Sequence, residues 1–269
     1  MLPAKSRARS IEGRLDWLSV VFVLGAVLLV YYLFPLVSLL VSQPPAAVIR
    51  RLSSPDVVAA ATTSLLAATA SAAIATAFGL PLAYWLARAD GRIETLVTAL
   101  VVLPLVLPPI VSGMVLLTVV GPETLVGRLA AANGLPLTRS LAGVVLAQTF
   151  VASPFVVVTA KAAFESVDRS LEYASRSLGK SRLVTVRRVT LPLAWPGILA
   201  GITLAFARSI GEFGATIMLA YYPRTMPVQI WVSFTTLGLD RAFPTAVVLV
   251  AIAVATLVVL NALGRNPLE

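Results

Sequence analysis

Arg208 and Glu212 lie four residues apart inside a largely apolar run, Leu193 to Ala220, that carries no other charge. A charge at the middle of a membrane-spanning helix costs on the order of 3 kcal/mol, so such groups face the protein interior and find partners. Their spacing puts both on one helix face, where they can pair. Two readings stay open: a structural ion pair, or a cationic point on a transport path. Gly211 and Gly214 bracket Glu212 and permit local unwinding. Pro104, Pro108 and Pro109 fall within six residues of a second apolar run. Each lacks an N–H, and the bends free carbonyls near mid-membrane. Such backbone is tolerated only where protein or a water-filled cavity covers it. Pro108, Pro109 and Ser112 are therefore read with Arg208 and Glu212 as a pore-lining set, the alternative being a packing kink. The chain has no His and no Cys. Imidazole relays, thiol catalysis and thiolate metal sites are excluded, so no catalytic residue, metal ligand or cofactor is assigned. Leu178-Gly179-Lys180-Ser181 mimics the end of a phosphate-binding P-loop, but the first glycine of that motif would fall on Ala174. No strand precedes it, and the phosphate cradle is missing. Any ATP-driven work must come from another subunit.

These residues need a membrane scaffold. Of 269 residues, 58% are hydrophobic and 12% charged, about half the charge of a soluble domain. Six apolar stretches, roughly 17–41, 57–86, 96–120, 140–164, 193–220 and 243–264, are each long enough to cross a bilayer. The expected fold is all-α and polytopic: a segment 1–16, a transmembrane domain 17–264, and a tail 265–269. Lys5, Arg7, Arg9 and Arg14 resemble the charged start of a signal peptide. The apolar run after them, about 25 residues, is too long for a signal core and reads as a retained membrane helix.

With both ends inside, inner segments hold about twice the Lys and Arg of outer ones. The inner set is dominated by Arg169, Arg176, Lys180, Arg182, Arg187 and Arg188 of the loop 165–192. The positive-inside rule puts this loop and both termini in the cytoplasm of a multi-pass cell-membrane protein. A net charge of +9 thus reports topology rather than nucleic-acid binding. The Ala, Ser and Thr of 57–86 suit close helix packing, as does Gly197-x-x-x-Gly201, and Pro81 is expected to bend the inner end of its helix. Lys161 is expected to snorkel toward the headgroups. Residues 121–139 read as an external loop with turn chemistry, and 221–242 as a short interfacial helix.

Within 165–192, Leu171, Ala174, Ser175 and Leu178 recur at helical spacing as a narrow face, and Gly179 is a plausible helix stop. An apolar knob among charges suits insertion into a partner's cleft. Leu178-Gly179, Val189 and Leu191-Pro192 resemble the Glu-Ala-Ala loop of binding-protein-dependent ABC importer permeases. Aligned on Gly179, the Glu-Ala-Ala positions fall on Tyr173, Ala174 and Ser175, with Glu172 one residue before them.

The resemblance implies the type I ABC importer permease (MetI-like) fold. It also implies that Leu171, Glu172, Tyr173, Ala174, Ser175, Leu178 and Gly179 dock on a cytoplasmic ATPase dimer. An extracytoplasmic substrate-binding protein and a second permease copy, forming a homodimer or a close pair in the lipid bilayer, complete the assembly. Leu103 to Pro109, Ala207 to Thr216 and Pro223 to Pro227 are similar to molybdate/tungstate permeases, with sulfate/thiosulfate permeases as near relatives. An ion-coupled secondary transporter is the alternative class. It has only Glu212 as a deep acid, where a proton relay needs more.

Overall fold

The computed structural model describes residues 4–264, with side chains for 17–259 and 262. The tail 265–269 lies outside the described residues. The chain divides into two units, 1–49 and 50–269. The first is essentially one helix, α1 (Ala4–Ser42). Its Trp17–Ser42 portion has a mean hydropathy of 2.6 and is apolar on every side, as a lipid-solvated helix must be.

Helix α2 (Pro45–Leu52) contains the boundary, and the second unit is built on two long helices, α3 (Pro55–Leu86) and α7 (Leu141–Glu165). These run parallel and in register. Ala67 packs with Val144, Ala75 with Ala152, and Leu86 with Phe164. Midway, Ser71 donates to the carbonyl of Val145. The buried stripe of α3 is almost entirely Ala, Ser and Gly. Small side chains let the backbones approach where lipid supplies no hydrophobic drive. α3 continues as one helix through Pro81.

A third helix, α10 (Leu191–Ile210), lies antiparallel to α7. A Cβ on Gly197 would sit 2.6 Å from that of Ala163, and one on Gly201 would overlap the Thr159 hydroxyl. The Gly-x-x-x-Gly pattern is therefore the contact face. Between α3 and α7 the chain returns through α4 (Arg92–Val106) and α5 (Pro109–Val120), which meet at 117°. The prolines thus break this segment rather than merely bend it. α4 is tied to the end of α7 by Lys161, which pairs with Glu94 at 2.8 Å and Glu165 at 3.4 Å. Lys161 is thus an inter-helix clasp rather than a snorkelling surface residue.

Two sequence expectations need correction. The stretch 121–139 contains a helix, α6 (Leu125–Ala132), started by the Thr124 hydroxyl, which accepts from the Gly127 N–H. The stretch 193–220 is two helices, α10 and the short α11 (Gly214–Leu219). Among the described residues five helices are long and apolar enough to span, and the six spans read from the sequence are reached when the bent α4–α5 pair counts as one. After α11 come α12 (Met226–Leu237) and α13 (Leu239–Gly264). At that end buried Arg51 joins α2, α3, α12 and α13 through Asp56, Ser233 and Thr245.

Candidate functional site

Two sites emerge, one in the loop between two long helices and one where two helix breaks meet. The first is the loop between α7 and α10. Asp168 starts α8 (Arg169–Ser177) by accepting the Ser170 N–H at 2.8 Å. That bond holds its carboxyl below the usual range. Gly179 ends α8 with φ +78°, a conformation that costs glycine nothing. The Gly179 N–H reaches the Arg176 carbonyl and the Lys180 N–H the Ser175 carbonyl, the paired bonds of a Schellman stop. The chain then turns through α9 (Arg182–Thr185) and a π turn (Val186–Thr190) directly into α10.

α8 is clamped on its inner side. Glu172 Oε1 accepts from Arg88 Nη2 at 2.6 Å and from the Thr190 hydroxyl at 2.8 Å. Arg88, at the end of α3, also donates to the Phe164 carbonyl of α7 at 2.9 Å. One ion pair thus fastens α8 to α3, α7 and the start of α10. Partial burial pushes the Glu172 carboxyl up. The bonds from Arg88 and Thr190, with the charges of Arg88 and Arg169, outweigh it and hold the group below its ordinary value. Ser175 likewise turns inward, its hydroxyl 3.0 Å from that of Thr185. The outward face is Leu171, Tyr173, Ala174 and Leu178, with Leu178 80% exposed. The narrow face read from spacing is therefore altered: Ser175 leaves it and Tyr173 joins it. Leu183, 78% exposed on α9, stands beyond α8 as a further bare leucine. Its signal was an isolated leucine between Ser181-Arg182 and the apolar helix.

The second site is the pair of helix breaks. They touch: a Cβ on Gly214 would lie 2.8 Å from the Pro109 Cβ and 2.9 Å from the Ile110 nitrogen. Residues more than a hundred positions apart are thereby brought together. Glu212 is buried in the second break. Its Oε1 accepts the Ala215 N–H at 2.7 Å, and Oε2 pairs with Arg208 Nη1 at 2.5 Å. The carboxylate thus satisfies a backbone donor that the break exposes and neutralises the arginine. Arg208 keeps 28% of its side chain open. The buried hydroxyls of Ser112, Ser209 and Thr216 have no hydrogen-bond partner among the described residues. Pro108 stands at the bend immediately before α5, and Ser112 lies one turn into α5.

A bundle of spanning helices with broken backbone at its centre and a clamped polar loop at one end defines a membrane permease. The chain belongs to the family described as binding-protein-dependent transport system inner membrane component, matched over residues 79–265. It is 60% identical over 253 residues to a probable molybdenum ABC transporter permease protein of Haloferax volcanii, covering 94% of this chain and 93% of that one. It is 38% identical over 193 residues to the molybdate/tungstate transport system permease protein WtpB of Pyrococcus abyssi, covering 72% and 73%. Among solved structures it resembles a bacterial alginate ABC transporter, with a TM-score of 0.74 at 17% identity and coverage of 94% and 95%. It also resembles the MetNI methionine ABC transporter, with a TM-score of 0.63 at 19% identity and coverage of 78% and 94%. These last two likenesses are of fold. The chain is a multi-pass membrane transport subunit rather than an enzyme, and it works with a separate ATPase and a substrate-binding protein.

Proposed function

We propose that this permease carries a tetrahedral oxyanion of charge −2, molybdate or tungstate, into the cytoplasm. The observation that carries the reading is its likeness to relatives named for molybdenum, the first of them 60% identical over nearly the whole chain. Arg208 supports it, since it is the cation beside the paired helix breaks and suits an anion's path electrostatically. Pro108, Pro109, Ser112, Arg208 and Glu212 form that path. The uncoupled hydroxyls of Ser112, Ser209 and Thr216 are donors that a passing anion can use.

At the other end, Leu171, Tyr173, Ala174 and Leu178 dock on the ATPase dimer. Glu172, Ser175 and Gly179 fix the helix that carries them. Both termini and this loop face the cytoplasm, in keeping with the basic residues of 165–192. Two copies of the chain pair in the membrane, each bringing one loop to one ATPase. ATP binding and hydrolysis shift the permease between two states that the ATPase and the binding protein both bias. Proteoliposomes holding the permease, its ATPase and its binding protein will take up molybdate only with internal ATP, and sulfate at a small fraction of that rate. Equal or preferred sulfate uptake overturns the cargo, and uptake without ATP overturns the class.

A further inference from the structure

A second cationic site lies at the foot of the docking loop. The end of α3 and the α8–α9 turn enclose a cleft of about 210 Å³. Its lining holds four guanidinium groups, Arg88, Arg169, Arg176 and Arg182, against the single carboxylate of Glu172. Glu172 is already committed to Arg88 and Thr190. Arg169, Arg176 and Arg182 have no carboxylate within ion-pair distance among the described residues. The cleft therefore keeps a surplus of positive charge on three planar forks, the geometry that takes phosphate-like oxygens in pairs. It is also preorganised. The guanidiniums of Arg88 and Arg182 lie 5.7 and 6.0 Å from the centre of the Tyr84 ring, which orients both. Trp85, near the last turn of α3, and Trp195, in the first turns of α10, are exposed, as tryptophans at a lipid headgroup level are.

From this we infer that the cleft binds a tetrahedral oxyanion group, supplied either by a free anion such as inorganic phosphate or by the phosphate of an anionic lipid. This site is separate from the Arg208 path and does not depend on which cargo is carried. An anion here ties α8 and α9 to the end of α3 through Arg88, Arg169, Arg176 and Arg182. It thereby sets the stiffness of the element that meets the ATPase.

The test uses the full chain in nanodiscs. In one arm the lipid is neutral phosphatidylcholine and labelled inorganic phosphate is titrated in. In the other the discs contain phosphatidylglycerol, and retained lipid is read by native mass spectrometry. Arg176→Gln/Arg182→Gln is compared with the parent and with Arg176→Lys/Arg182→Lys, which keeps charge but loses the forks. Arg128→Gln/Arg139→Gln, at the far end of the bundle, is the control. Retention of phosphate or of phosphatidylglycerol falls about tenfold in the Gln pair and less in the Lys pair, with the control unchanged. Whichever arm shows the loss identifies the source. The inference is overturned if neither arm separates the folded Gln pair from the parent. It is equally overturned if the Gln pair loses ATPase capture while retaining both anions, because the cleft then receives an acidic side chain of that subunit.

Discussion

Glu172 shows how one side chain can organise a lever. It joins the loop helix to α3 and α10 through Arg88 and Thr190. Glu172→Gln leaves Arg88 without its counter-charge, at a cost of about 1–3 kcal/mol, and lowers the melting temperature of the purified protein. Its folded-state carboxyl sits below the ordinary value of 4.5, so the clamp's contribution is fully present well above that pH. That contribution is lost only as pH falls further, through the folded value. A melting series in which the parent loses its advantage over Glu172→Gln only below that point bears this out; an advantage lost nearer neutrality refutes it. The charge at position 172 was legible in the sequence, but its direction was not. Its partner Arg88 is 84 positions away, and no local pattern reports so distant a pairing. Arg208 and Glu212 were fully legible as a pair, because four-residue spacing in an apolar helix leaves few alternatives. Arg208→Leu is expected to abolish oxyanion uptake by reconstituted vesicles while leaving ATPase capture within about twofold of the parent. Equal loss of both reduces the pair to a structural one.

Among the elements, the helix contacts follow from small residues more than from large ones. Gly201 meets Thr159 so closely that Gly201→Val must push α10 off α7, costing about 1–3 kcal/mol by overpacking. A Val variant that melts with the parent contradicts that packing. The proline breaks of α4–α5 and the glycine break after α10 were each readable, since a missing N–H and a paired glycine act locally. That the breaks touch through Pro109 and Gly214 is a long-range fact, suggested only by both lying near mid-membrane. Helix α6 escaped because its turn-rich surroundings outweigh eight residues of which six are Leu, Val or Ala. The π turn before α10 left no periodic trace in so short a stretch.

At the level of the molecule, α3 and α7 form a parallel pair with α10 laid antiparallel on α7, and the loop grows directly out of that core. The Arg88–Glu172 pair links the loop to α3, and the Arg88 bond to the Phe164 carbonyl links it to α7. Movement imposed on α8 is therefore passed to α3 and α7 through Arg88, and through Thr190 to the start of α10, the helix that ends at one of the breaks. The absence of cysteine from the sequence permits the most direct test of this arrangement. With Leu178→Cys as the sole thiol, a membrane-impermeant maleimide is applied to inside-out vesicles and to intact cells, with and without the ATPase subunit. Labelling from the cytoplasmic face alone, blocked when the ATPase is bound, is the predicted result. Labelling from outside, or labelling that the ATPase leaves unchanged, contradicts the account.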